Sequence, residues 1–150
     1  MRCLTFVYFC LGSIFAAAPA SAIPARYPPC AKPDASFKVF LQRFNNHTAF
    51  QRSRLSLPLV VRAGDGKTIS STVELWDLKH IRGLKDPLIY SDSQRQRANV
   101  SQSIDLVQEN PSVAEVGQAE KSEGDAVKLQ YWFRKLDGCW FLAEFDDWSE

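Results

Sequence analysis

Two segments near the C-terminal end constrain the fold of this chain most strongly. Apolar and polar side chains alternate along Ala126–Lys135 and again along Cys139–Trp148. A period of two is typical of β-strands that bury one face. Asp137-Gly138, between the two segments, is a strong hairpin signal. The sequence therefore predicts an antiparallel hairpin that closes a sheet.

The length of the hairpin loop decides which side chains share a face. A two-residue Asp137-Gly138 turn would place Tyr131 opposite Glu144, which mixes apolar and charged side chains. A three-residue loop, with Gly138 in the left-handed conformation of a bulge, keeps the apolar residues together. We therefore predict the three-residue loop. It gives the pairs Phe133–Phe141, Tyr131–Ala143 and Leu129–Phe145, with Lys128–Asp146 and Trp132–Leu142 on the reverse face.

The clearest helix lies near the start of the folded region. Its apolar residues recur at the i, i+3, i+4, i+7 spacing of one buried helical face, and they are Phe37, Phe40, Leu41 and Phe44. Asp34 is the expected N-cap, and Asn45-Asn46 is the expected stop. We expect this helix to cover the apolar hairpin face that carries Leu129, Tyr131, Phe133, Phe141 and Phe145.

The remaining patterns complete an α+β domain. Pro58 cannot donate to a sheet ladder, so its strand is expected at an edge or with a bulge. Turn residues occur at Asn110-Pro111 and Gly124-Asp125. In order, the sequence predicts a short helix over Thr48–Arg54, strands over Leu55–Arg62 and Thr68–Trp76, a helix over Asp77–Leu84, a polar loop over Ser91–Arg97, and strands over Val100–Leu106 and Val113–Lys121.

The N-terminus resembles an export signal. Met1-Arg2 gives a positive start, Cys3–Ala18 is almost continuously apolar, and Pro19–Ala22 supplies the small residues of a cleavage site. Because the apolar stretch is shorter than the roughly 20 residues of a membrane span, a retained anchor is the less favoured interpretation. We predict cleavage after Ala22 and a secreted or periplasmic protein. Residues 23–33 are an extended, proline-rich lead-in, and residues 34–150 form one domain.

Cleavage would leave two cysteines, Cys30 and Cys139. In an oxidising compartment two cysteines most simply form one disulfide, which would join the start of the domain to its last hairpin. The other interpretation is a pair of unpaired buried thiols, because sequence alone cannot show that their Cα atoms approach closely enough. We predict the disulfide.

Charge argues against two classes of partner and suggests an internal arrangement. The formal net charge of +1 gives no field that would attract nucleic acid or an anionic membrane. Residues 23–97 carry 13 basic and 6 acidic side chains, whereas residues 98–150 carry 4 and 11. The simpler explanation of this unequal charge distribution is that the two halves contact each other inside the fold. A bipolar surface that steers a charged partner is the other.

Motifs for established catalytic or cofactor sites are absent from the sequence. There is no Gly-rich phosphate loop, no Cys-x-x-Cys pair and no His-Glu-x-x-His, so no cofactor is expected. Asp77 and His80 could share one helix face as a weak acid/base pair, although such pairs are common by chance. We expect a solvated acidic edge rather than a metal site from the four C-terminal acidic residues, which are Glu144, Asp146, Asp147 and Glu150.

A resemblance to a known family covers about the first half of the chain after the signal. Phe40-Leu41-Gln42-Arg43-Phe44, Phe50-Gln51-Arg52-Ser53-Arg54-Leu55 and Leu57-Pro58-Leu59 resemble the pattern of the secreted bacterial domain family DUF4348, with Leu57 where an aromatic residue is usual. Glu74-Leu75-Trp76 is similar to that family's acidic-x-Trp position. The resemblance implies a fold like nuclear transport factor 2 (NTF2-like, also called cystatin-like), a cone of helices on a curved antiparallel sheet. It implies no established activity.

Two functional hypotheses follow. In the first, the domain is non-catalytic and binds a protein partner or a second copy through an aromatic sheet face formed by Trp132, Arg134, Trp140 and Leu142. An immunity protein that blocks a toxin is a narrower form of this hypothesis. In the second, the mouth of the cone binds a small apolar ligand or acts as a weak acid/base enzyme. The residues of that pocket would be Trp76, Asp77, His80 and Tyr131.

Overall fold

The computed structural model describes residues 24–64, 72–84, 87–106, 112–121 and 127–148. The predicted export signal and the turns at Asn110-Pro111 and Gly124-Asp125 lie outside these residues. The elements are α1 (Phe37–Asn46), α2 (Thr48–Ser53), β1 (Leu55–Ala63), β2 (Thr72–Trp76), α3 (Leu78–Gly83), α4 (Asp92–Ala98), β3 (Val100–Leu106), β4 (Val113–Glu120), β5 (Val127–Leu136) and β6 (Cys139–Asp147).

The six strands form one open sheet in the order β2-β1-β6-β5-β4-β3. Neighbouring strands are antiparallel except β1 and β6, which are parallel. The hairpin predicted from the sequence is therefore the centre of the sheet. The α+β prediction is confirmed. None of the helices within the described part of the chain is long and apolar enough to cross a membrane.

The predicted hairpin register is wrong. Leu136 pairs with Cys139, so Asp137-Gly138 is a two-residue turn, and both turn residues have positive φ (49° and 81°), as a type I′ turn requires. Phe133 consequently pairs with Leu142. Residues directly opposite each other share a face, so Phe141 points to the other side of the sheet.

A bulge explains why apolar side chains of both hairpin strands still share the buried face although the turn has two residues. The register shifts by one residue between Trp132 and Phe133, so that Tyr131 pairs with Phe145 instead of Glu144. A bulge places two residues of one strand opposite one residue of its partner. Tyr131 and Phe133 therefore share the buried face with Leu142 and Phe145. We call this the inner face, and the opposite side of the sheet the outer face.

Helix α1 packs on the inner face through its phenylalanines. The ring of Phe133 lies 5.3–5.6 Å, centroid to centroid, from the rings of Phe37, Phe40 and Phe44. These rings belong to one core cluster with buried residues of β1, β4, β5 and β6. The predicted helix is confirmed, but its N-cap is Ser36, whose hydroxyl accepts a hydrogen bond from the amide of Val39. The predicted cap, Asp34, has a different role.

The lead-in is docked on the sheet rather than free. Arg26 forms an antiparallel bridge with Leu57, and the ring of Tyr27 meets Phe141 edge-on at 5.2 Å. A disulfide joins Cys30 to Cys139, with the Cα atoms 6.4 Å apart. The disulfide prediction is confirmed. Phe141 is apolar although it lies on the outer face because the lead-in contacts it there.

Pro58 lies at an irregularity of β1. The register between β1 and β6 shifts between Leu55 and Val60, and pairing with β2 begins only at Leu59. The predicted bulge is therefore present, whereas the predicted edge position is not, because β1 lies between β2 and β6. A proline is tolerated where the ladder is interrupted, since no backbone N–H is needed there.

The prediction of a polar loop over Ser91–Arg97 is wrong. Ser91 is the N-cap of helix α4, and the rest of the segment lies in that helix. Ser91 and Gln94 form a capping box, in which each side chain accepts a hydrogen bond from the other residue's backbone N–H. Asn99 ends the helix in the left-handed conformation, at φ 54°. None of the helix residues is buried. The apolar period that signals a packed helix is therefore missing from its sequence.

Candidate functional site

The four residues predicted to form an aromatic partner-binding face lie on two different faces. Trp132 and Arg134 are on the outer face of β5, half-buried and exposed respectively. Trp140 and Leu142 belong to the inner core, with exposed fractions of 4% and 0%. The ring of Trp140 lies 4.8 Å from that of Phe37 on α1. The predicted patch is therefore not a continuous surface, because the two-residue turn moves Trp140 and Leu142 beneath the helix.

The outer face around Trp132 carries both apolar and charged side chains. Strand pairing places a row across the sheet on this face, consisting of Leu75, Val60, Glu144, Trp132, Glu115 and Asp105. The next row consists of Val73, Arg62, Asp146, Gln130, Gly117 and Ser103. On the edge strand β2, Val73 and Leu75 are 59% and 50% exposed. Of the four predicted residues, Trp132 lies in the first of these rows, and Arg134 lies on the same face beside it, opposite Phe141.

Arg62 organises the charges of the outer face. Its guanidinium contacts Glu144 and lies 3.4 Å from a carboxylate oxygen of Asp146. Burial raises the pKa of Asp146 above its ordinary value, and the positive charge of Arg62 only partly opposes that shift. Arg62 comes from the basic half of the chain and both carboxylates come from the acidic half. This contact supports internal complementarity between the two halves.

The three C-terminal acidic residues that the structure describes do not converge on one point, and the fourth, Glu150, lies outside the described residues. Glu144 and Asp146 face Arg62, whereas Asp147 pairs across the sheet with Leu129 on the inner side. The described part of the chain contains no group of three or more His, Cys, Asp or Glu side chains that could hold a metal ion.

Three of the four residues predicted to line a pocket do come together. Trp76 stacks on His80 with the ring centroids 4.3 Å apart and the planes 15° apart. Asp77 caps α3 by accepting a hydrogen bond from the backbone amide of His80 at 2.8 Å. The carboxylate of Asp77 is thus hydrogen-bonded to the helix backbone, as in an N-cap.

Tyr131 lies apart from that group. It is on β5, and strands β1 and β6 separate it from β2. Its ring stacks on Phe145 at 4.9 Å, and its hydroxyl donates a hydrogen bond to Oε1 of Gln118 at 3.3 Å. Burial raises the pKa of Tyr131 far above its usual value, and Tyr90 and Asp147 raise it further. Tyr131 therefore stays protonated at neutral pH and acts as a hydrogen-bond donor inside the core.

The resemblance motif contains buried polar residues that the sequence did not mark as structural. Gln51 is 1% exposed; its amide donates to the carbonyl of Ile89, and its Oε1 accepts from the amide of Leu88. It thereby fixes the chain before α4 to α2. A buried glutamine in a helix gives no periodic signal, so only the motif itself could have indicated it.

Arg54 and Asp34 form a second buried link. Both terminal guanidinium nitrogens of Arg54 donate to the carboxylate of Asp34, at 3.2 and 3.4 Å, and the same carboxylate accepts a hydrogen bond from the backbone amide of Trp140 at 2.8 Å. The backbone amide of Asp34 donates to the carbonyl of Gly138. Asp34 therefore joins the lead-in, α2 and the hairpin turn at one point.

Comparison with known proteins identifies the fold. No family model and no curated protein matches the sequence. An NTF2-like protein from Bacteroides fragilis NCTC 9343 is similar in structure, with a TM-score of 0.50, 20% identity, and coverage of 76% of this chain. This chain spans 47% of that protein, about half its length. The likeness shows an NTF2-like fold, as the sequence resemblance implied.

Other solved structures are similar at lower scores. A cystatin-like protein from Bacteroides caccae ATCC 43185 has a TM-score of 0.46 and 17% identity, with 82% of this chain and 80% of that one covered. A protein from Bacteroides uniformis ATCC 8492 has a TM-score of 0.45 and 18% identity, with 77% and 78% covered.

Proposed function

We propose that this chain is a secreted, non-catalytic domain that self-associates through the outer face of its sheet, around Trp132 and Arg134. The observation that carries the proposal is the composition of that face. A half-buried tryptophan and an exposed arginine, the residue types most enriched in interface cores, lie on the same side as the exposed Val73 and Leu75.

Mixed charge favours a second copy of the chain as the occupant. The outer face carries both cations, such as Arg62 and Arg134, and carboxylates, such as Glu115, Glu144 and Asp146. In a two-fold dimer the same patch meets itself, so a surface with both signs of charge can be complementary to its own copy. A partner of one strong charge would be repelled by part of this face.

The size of the face limits the area of a dimer interface. Six strands spaced about 4.8 Å apart and roughly 25 Å long present on the order of 700 Å². A standard interface buries about 800 Å² on each partner, and the lead-in already covers this face at Phe141, so the dimer interface would be smaller than the standard one.

Sedimentation equilibrium of the oxidised protein tests self-association. We expect a dimer at micromolar concentration, and at least a tenfold weaker dimer for Trp132→Ala and for Arg134→Ala. Ile104→Ala is the matched control, because Ile104 is 45% exposed but pairs with the inner-face residue Val116. A monomeric wild type, or equal weakening by the control, would contradict the proposal. A monomer that instead binds a different protein through Trp132 would favour the partner-binding hypothesis, including its immunity form.

Export is the second part of the proposal. The disulfide supports an oxidising compartment, because structural disulfides are rare where thiols are kept reduced. The likeness of residues 40–59 and of Glu74-Leu75-Trp76 to DUF4348 agrees with secretion. N-terminal sequencing of the exported protein should begin at Ile23. Recovery of the protein with residues 1–22 attached would contradict cleavage.

The pocket hypothesis receives less support. Trp76, Asp77 and His80 lie together at one end of the sheet order, whereas Tyr131 is buried near its centre. Small-ligand sites need polar groups that converge on one cavity, and these four residues do not converge.

A further inference from the structure

A groove of about 470 Å³ lies between the lead-in and the first two helices, away from the residues discussed for self-association. The lead-in forms one wall and α1 and α2 form the other. The side chains that matter for its chemistry are Lys32, Asp34, Phe40, Arg43, Phe50 and Arg54. The volume is within the range of 300–1,000 Å³ that is typical of small-molecule sites.

The groove combines apolar and cationic surfaces. Phe40 and Phe50, whose ring centroids are 5.8 Å apart, give it aromatic surface. Arg54 contributes no net charge, because its guanidinium is paired with Asp34 inside the groove wall. Lys32 and Arg43 are exposed, and the carboxylate among the lining residues, that of Asp34, is paired with Arg54. The groove therefore carries a net positive charge beside an aromatic surface.

Arg43 is positioned to bind an anion. Its guanidinium carbon lies over the Phe50 ring, 4.1 Å from the ring centroid, which is the distance of a cation–π contact. A cation–π contact uses none of the guanidinium N–H groups as hydrogen-bond donors to a carboxylate, and Arg43 is exposed. Guanidinium N–H groups match the two oxygens of a carboxylate. Because the ring holds the side chain in place, less conformational entropy is lost when an anion binds.

We propose that this groove binds a small organic monocarboxylate, with the carboxylate on Arg43 and Lys32 and the apolar body against Phe40 and Phe50. The first half of the chain, which supplies every residue of the groove, is the basic half. This charge favours an anion over a neutral or cationic ligand of the same shape.

The wall formed by the lead-in depends on two anchors. The Cys30–Cys139 disulfide and the contacts of Asp34 with Arg54 and Trp140 hold residues 29–35 against the rest of the groove. Binding therefore belongs to the oxidised protein, and the test uses that form.

An NMR titration of the ¹⁵N-labelled, oxidised protein with 4-phenylbutanoate tests the proposal, and the neutral 4-phenylbutanamide is the matched probe. We expect the acid to shift amides of the groove, such as those of Ala31 and Ser53, and to bind at least tenfold more tightly than the amide. Arg43→Gln should weaken binding of the acid about tenfold. Arg52→Gln should not, because Arg52 is an exposed cation of α2 that does not line the groove.

Three results would overturn the proposal: no shift of groove amides at millimolar acid, equal binding of acid and amide, or equal loss in the Arg43 and Arg52 variants. The amide spectrum of each variant shows whether it remains folded. If Arg43→Gln does not fold, Lys32→Gln decides the question, because Lys32 is an exposed residue of the lead-in outside any helix. Unchanged affinity for the acid in that variant would then count against the site.

Discussion

At the scale of single residues, the buried polar side chains hold separate parts of the chain together. Asp34 is the clearest example, since its carboxylate is bound by both the guanidinium of Arg54 and the amide of Trp140. The side chains of Asp34 and Arg54 are only 11% and 10% exposed. Removing one partner of a buried ion pair leaves the other charge uncompensated.

Asp34→Asn should therefore destabilise the protein strongly. We expect a loss of about 3 kcal/mol in the free energy of unfolding, within the range for breaking a buried pair. Asp92→Asn is the control, because Asp92 pairs with Arg95 on the exposed surface of α4, where a loss below about 1 kcal/mol is expected. Denaturant unfolding measures both, and equal losses would show that the Asp34 contact has no special role.

Asp146 should make the stability depend on pH in a defined direction. Its pKa is raised in the folded protein, first by burial and despite Arg62. As pH rises, the Asp146 carboxyl of the unfolded chain loses its proton near its ordinary pKa of 3.8, whereas that of the folded protein loses it at a higher pH. The stability that this group contributes is therefore complete below pH 3.8 and is lost as pH rises through the folded pKa.

Asp146→Asn, which cannot ionise, removes this loss. Relative to the wild type, the variant should gain free energy of unfolding between about pH 3.5 and about pH 7. Denaturant unfolding at the two pH values measures the change. If the variant instead gained free energy of unfolding relative to the wild type as pH is lowered, the charge of Arg62 would outweigh burial in setting the pKa of Asp146.

At the scale of elements, the strong periodic signals predicted helices and strands well, and local geometry limited the rest. Helix α1 and the strands of the hairpin carry long apolar repeats, and all three are present where predicted. The bulge at Trp132 and Phe133 requires no particular residue type, so the sequence could not reveal it. The outer-face position of Phe141 follows from the two-residue turn, and the docked lead-in that covers Phe141 is a tertiary contact.

Helix α4 shows how a cap can define an element that has no buried residue. Ser91→Ala removes the hydroxyl that accepts the amide of Gln94, and should cost about 1 kcal/mol of unfolding free energy. Ser53→Ala is the control, because its hydroxyl bonds a carbonyl at the end of α2 and caps no N-terminus. Equal stability of Ser91→Ala and the wild type would contradict the role of the cap.

At the scale of the whole molecule, the sheet has two faces with different partners. The inner face is buried by α1 through Phe133, and the lead-in contacts the outer face at Phe141. Arg134 pairs directly with Phe141 on this face, and Trp132 is the next outer-face residue of β5, opposite Glu144. The self-association proposed here depends on this division, because the other register would return Trp140 and Leu142 to the outer face.

A NOESY spectrum of the oxidised protein measures that division most directly. Ring protons of Phe133 should show cross-peaks to Phe37 and Phe44, at centroid distances of 5.4 and 5.3 Å. Ring protons of Phe141 should show cross-peaks to Tyr27, at 5.2 Å, and none to α1. Cross-peaks from both Phe133 and Phe141 to the rings of α1 would place them on one face and contradict the two-faced sheet.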